Sequence, residues 1–98
     1  MPNFKLSRKA KADLKVIARY TEREWGRDQR NHYILQFDKS FHLLGKNPGL
    51  GQPSEEIRPG YRRYTLRSHV IFYRHSQGNV VEIIRILHQR MLPEEHLL

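Results

Sequence analysis

His69, His88, Arg67 and Arg90 are the residues of this chain whose types could do chemistry together. Cutting RNA through its 2′-hydroxyl needs a base for that proton, an acid for the leaving oxygen and fixed positive charge on the phosphorane. Two histidines and two arginines at one end of a sheet would supply every role. They meet if the β-type runs His69–Arg74 and Val80–His88 form a hairpin through a two-residue turn at Gln77-Gly78. In that register Tyr73 faces Glu82, Ile71 faces Ile84 and Arg67 faces His88. His69 is then diagonal to His88, about 7–8 Å away. A slip of one residue would move one strand's side chains to the other face and separate the pair.

The other charged residues point elsewhere. Six histidines are present, but no pair has helical metal-ligand spacing with a nearby acid, so neither a metal nor a cofactor is expected. His32 and His42 read as surface residues on the flanks of a helix. Arg58, Arg62, Arg63 and Arg67 form a cationic run with Tyr61 and Tyr64 interleaved. Such a run can hold phosphates and stack bases, grip carboxylates, or protect an edge strand by charge. Arg85 lies inside the last apolar run and must find an acid or water. An acidic partner segment laid over that face would satisfy it.

The elements that position these residues fit one domain spanning residues 1–98. Apolar residues make up 38% of the chain, too many for a disordered segment. No apolar run approaches the roughly 20 residues of a bilayer span, and the N-terminus lacks a signal-peptide core. With no cysteine, the chain reads as cytoplasmic, without disulfides and without a membrane partner. Its formal charge of +8 suits a nucleic-acid surface, an acidic protein partner or plain solubility.

Asn3–Leu6 alternates as a short strand, and Ser7 offers an N-cap to a helix ending at Gly26. Ala10, Leu14, Ile17, Thr21 and Trp25 form its buried stripe. Arg8, Lys11, Lys15, Arg19 and Arg23 run down the other side and read as a solvated back. Asp28 is a candidate N-cap for a second helix from about Gln29 to Lys46, with Tyr33, Ile34, Phe37, Phe41 and Leu44 on one face. Asn47-Pro48-Gly49 stops it. Two amphipathic helices so joined pack as an antiparallel hairpin and need a further surface to sit on. Strand runs at Arg63–Leu66, His69–Arg74 and Val80–His88 supply it. One sheet face would carry Ile71, Tyr73, Ile84 and Ile86; the other would carry Val70, Phe72, Val81, Ile83 and Leu87. Both are apolar, so the helices cover one and the tail, a partner or both cover the other. The fold class is α+β: a short N-terminal strand and a helical hairpin packed on a small antiparallel sheet. Leu97 and Leu98 have no evident core position.

Four segments resemble ParE-type toxins of the RelE/ParE superfamily: Arg19–Gly26, Asn47–Gly51, Ser68–Tyr73 and Ile84–Met91. The resemblance runs in order along nearly the whole chain and implies the same architecture. It implies the toxin of a type II toxin–antitoxin pair, of the kind that maintains a plasmid or chromosomal locus. Such a toxin blocks DNA gyrase by binding it and is not itself an enzyme. The implied partners are gyrase and a ParD-like antitoxin whose flexible segment wraps the toxin, with operator DNA reached only through the antitoxin complex. Expected gyrase contacts are Arg62, Arg63, His88, Arg90 and Met91; expected antitoxin contacts are Arg58, Val70, Phe72, Arg85 and Leu87. The RelE branch instead cuts ribosome-bound messenger RNA, which would enlist His69, His88, Arg67 and Arg90. Against that branch, Val70 stands where an arginine would be expected and Thr65 where a lysine would be, while Arg63 and Arg90 match cationic positions. Losing one such cation costs about 2.7–4 kcal/mol if it acts like a lost oxyanion donor.

Overall fold

Ser7 joins the first strand to the first helix and to the far end of the chain. Its Oγ accepts the Ala10 N–H at 3.0 Å, a side-chain N-cap, and donates to the Ile84 carbonyl at 2.7 Å. In the computed structural model, which describes residues 3–97, the strand before it is β1 (Phe4–Leu6) and the helix after it is α1 (Arg8–Trp25). Next come α2 (Arg27–Lys46), β2 (Gln52–Pro53), β3 (Tyr61–Leu66), β4 (His69–Ser76), β5 (Val80–His88) and α3 (Pro93–Leu97). The sheet order is β1-β5-β4-β3-β2, with β1 parallel to β5 and the remaining pairs antiparallel. The α+β class holds, with five strands rather than the short strand and three runs legible in the pattern.

The helical hairpin turns on Gly26 alone, which adopts φ 93° and closes α1 while opening α2. Asp28 is therefore inside α2 and does not cap it. Ala10, Ile17, Phe37, Phe41 and Leu44 bury the hairpin on Ile71, Tyr73, Val81, Ile83 and Ile86. Trp25, expected in the buried stripe, is 71% exposed. The fully buried Tyr73 hydroxyl accepts the Gly51 N–H and donates to the Pro48 carbonyl, both at 2.8 Å. A Cβ at Gly51 would lie 2.5 Å from that hydroxyl and from the Arg63 carbonyl, so the loop's close approach requires glycine.

The β4–β5 register differs from the expected one. The loop is the three residues Gln77–Asn79, with Gly78 and Asn79 both at positive φ, and Ser76 pairs with Val80. Further along, Phe72 opposes Arg85 while Tyr73 opposes Ile83, so Ile84 is an extra residue on β5, a β-bulge. The bulge switches which residues face the helices: Val81 and Ile83 do so before it and Ile86 after it. Val81 and Ile83 thus belong with Ile71 and Tyr73, and Ile84 belongs with Val70.

The second sheet face is sealed by the chain itself. Ile57, Tyr61 and the tail's Leu97 pack on Phe72 and Leu87, each of which is 2% exposed. Leu98 lies outside the described residues. Arg85 finds its acid within the chain too: Nε and Nη2 donate to the two Asp13 carboxylate oxygens at 2.8 and 2.9 Å. Its Nη1 donates to the His96 carbonyl at 3.1 Å, and the Ile86 N–H donates to Asp13 at 2.9 Å. Both side chains are only 15% exposed. The bond to Asp13 stabilises the charged guanidinium further.

Removing one partner of a largely buried, bidentate pair strands the other charge. Asp13→Ala should therefore lower stability by about 3 kcal/mol, read as a fall in urea midpoint, while Asp13→Leu/Arg85→Met recovers most of it. A single variant with the wild-type midpoint would show that the pair contributes nothing.

Candidate functional site: a cation-rimmed groove

The exposed part of α1 and the far end of β4 and β5 enclose a groove of about 1370 Å³. Val16 and Tyr20 form its helical wall, 63% and 52% exposed, and Met91 forms the opposite lip at 46%. Tyr33, His69 and His88 line its inner end, and Arg19, Arg23 and Arg67 its rim. Val16 and Tyr20 were not among the expected site residues, though their spacing of four places them together on one flank of the α1 core stripe.

The structure brings the two histidines closer than the sequence register implied. His69 and His88 pair directly across the strands, their rings 5.4 Å apart and nearly perpendicular. Phe37 packs edge-on against His69, and the Tyr33 hydroxyl lies 2.7 Å from His69 Nδ1. Burial, then repulsion from His88, lowers the His69 pKa to about 4. The imidazole is therefore neutral at pH 7, and its Nδ1 shares a hydrogen bond with the Tyr33 hydroxyl, which also lies 3.3 Å from the Leu66 carbonyl. Burial also raises the Tyr33 phenol. His88 Nδ1 accepts the Arg90 N–H at 3.1 Å.

This arrangement is poorly tuned for acid–base work at neutral pH. A general base works best with a pKa near the operating pH, and His69 sits far below it. Arg67 adopts φ 54° in the β3–β4 turn, and its Nε donates to Gln36 at 3.1 Å. It does not face His88, as the expected register had it; Arg90 is exposed beyond the strand.

Other expected contact residues divide by burial. Arg62 clamps the loop before β2, donating to the carbonyls of Gly49 and Gly51, while Arg63 is half-buried. Arg58 is exposed and its Nε reaches the Leu97 carbonyl at 3.4 Å; Val70 is half-buried. Phe72 and Leu87 are closed off by the chain's own tail and loop, and Arg85 is held by Asp13. As free contact residues these last three are corrected.

The fold is that of toxin–antitoxin proteins. It superposes on a solved structure described as the chromosomal ParDE TA system from P. aeruginosa with a TM-score of 0.74. That match has 29% identity and covers 90% of this chain and 96% of the other. Residues 4–93 match the family described as ParE toxin of type II toxin-antitoxin system, parDE. Toxin ParE1 of Caulobacter vibrioides is 46% identical over 97 residues, covering 99% of each chain. Toxin ParE1 of Mycobacterium tuberculosis (H37Rv) is 36% identical over 94 residues, covering 96% of each. The chain belongs to the ParE toxin family.

The lowered His69 pKa makes stability depend on pH. Below about 6.5 the unfolded chain takes up a proton that the folded chain refuses until about pH 4. Stability from this group is full above 6.5, falls as pH drops through that window, and levels off below it. The loss should reach about 2–3 kcal/mol in urea unfolding between pH 7.5 and 4, and His69→Gln should flatten that part of the profile. An unchanged slope in the variant would refute the assignment.

Proposed function

We propose that this ParE-family toxin inhibits DNA gyrase by binding it, catalyses no reaction itself, and is neutralised in the cytoplasm by a ParD-like antitoxin. The observation that carries the reading is the groove: apolar side chains stand exposed on its wall and lip, arginines rim it, and its buried histidine, His69, is mistuned for proton transfer at pH 7. An exposed apolar patch with a charged rim is the anatomy of a protein-binding surface. Full-length similarity to Toxin ParE1 supports the same conclusion.

Gyrase contacts center on His88, Arg90 and Met91, joined by Arg63; Arg62 acts through the loop it clamps. Antitoxin contacts fall on Arg58 and Val70, because Phe72, Leu87 and Arg85 are already engaged. The net charge of +8 favours an acidic antitoxin segment, and operator DNA is reached through that complex.

With purified gyrase, excess protein should abolish supercoiling. Arg90→Ala/Met91→Ala should raise the amount needed about tenfold, the equivalent of about 1.4 kcal/mol. Unimpaired supercoiling at excess protein would overturn the reading. The contact of His69 with His88 favours one rival, a ribosome-dependent endoribonuclease. That rival predicts transcript cleavage in a translation extract, lost on His88→Ala or Arg90→Ala.

A further inference from the structure

The solvent side of α1 carries Arg8, Lys11, Lys15 and Arg19, continued by Arg23, all exposed. From Arg8 to Arg23 this ridge extends about 22 Å along a straight helix. Arg8 and Ile17 are nine residues apart, half a turn around the helix, so the ridge stands opposite the buried stripe. In the sequence such a stripe reads as a solvated helix back. The structure adds where the neighbouring acids go.

Each acid of α1 is committed or peripheral. Asp13 is bound to Arg85 and to the Ile86 N–H, on the sheet side. Glu22 pairs with Arg30 of α2. Glu24 lies 4.0 Å from Arg23, at the end of the ridge. Among the described residues, none of the ion pairs uses Arg8, Lys11, Lys15 or Arg19. The ridge is therefore a line of positive charge that the fold leaves unneutralised.

Its lack of apolar anchors selects the partner. Protein interfaces deplete charge at their centers and rely on buried aromatic or aliphatic residues. The nearest such side chains, Val16 and Tyr20, face the groove, whose rim the ridge meets only at Arg19 and Arg23; Arg8, Lys11 and Lys15 lie outside it. A nucleic-acid backbone rewards cations alone, through counterion release. Single strands need aromatic stacking platforms, and duplex RNA is held partly through 2′-hydroxyl contacts. The ridge positions carry no aromatic, serine, threonine, asparagine or glutamine.

We propose that the α1 ridge of Arg8, Lys11, Lys15 and Arg19 is a docking surface for the phosphate backbone of duplex DNA, used by the toxin itself. This departs from the expectation that DNA is reached only through the antitoxin. It stands apart from the gyrase reading, because the isolated toxin is sufficient to test it.

The test is fluorescence anisotropy with a short mixed-sequence DNA duplex and the full chain, between about 50 and 200 mM salt. Four phosphate contacts predict a slope of log K against log salt of about −4. Lys11→Gln/Lys15→Gln should reduce it to about −2, while the charge-matched control Lys39→Gln/Lys46→Gln on α2 keeps about −4. All four lysines are exposed, so both variants should melt at the wild-type temperature. Equal losses in the two variants, or an unchanged slope in the ridge variant, would overturn the proposal. So would competition by polyglutamate or an RNA duplex as strong as that by DNA.

Discussion

One carboxylate holds three elements in place. Asp13 reaches from α1 to the guanidinium of Arg85 and to the next backbone amide of β5, and the same guanidinium binds the His96 carbonyl of α3. The helix, β5 and the tail therefore share one largely buried network. The desolvation of both charges is offset by bidentate geometry and the extra amide. The groove depends on this arrangement, since its two walls are the exposed flank of α1 and the end of β5.

The helices and the strand positions were largely legible because they follow from spacing and punctuation. Ser7 caps α1, and the residues placed on the buried face of α2 are buried or nearly so. What resisted reading was what a single residue can shift. The bulge at Ile84 reverses the alternation of β5 midway, so Val81 and Ile83 moved to the helix side. No periodicity announces an inserted residue; only the packing of both faces reveals it. Trp25 kept the period of the stripe but sits in the last turn, on the open groove, and stays exposed.

The site was half legible. The His69–His88 pairing could be sought from a hairpin, and the true register brought the rings closer than the expected one. The state of His69 could not be read, because it depends on burial beside Phe37 and on Tyr33, a residue 36 positions away. Arg85 posed the opposite problem. Its need for an acid was evident, but the acid lay 72 positions upstream, and a distant partner in the same chain looks in sequence like one in another molecule. The spare apolar face was closed in the same way, by Ile57 from a loop, Tyr61 from the start of β3 and Leu97 from the tail.

The placement of Asp13 has a consequence for how copies of the molecule meet. β1 stops at Leu6, and past it the Ile86 amide on that rim of β5 is taken by a side chain instead of a strand. β1 itself is three residues long with Lys5 exposed, and the opposite rim is a two-residue strand that includes Pro53, which has no amide hydrogen. Each rim thus offers a second molecule only a short stretch of ladder, Tyr64–Leu66 of β3 beside β2 and the end of β5 beyond β1. Edge-to-edge polymerisation, the common hazard of a small β-sheet, is opposed at both rims by short edge strands, a proline and a side-chain cap on one amide.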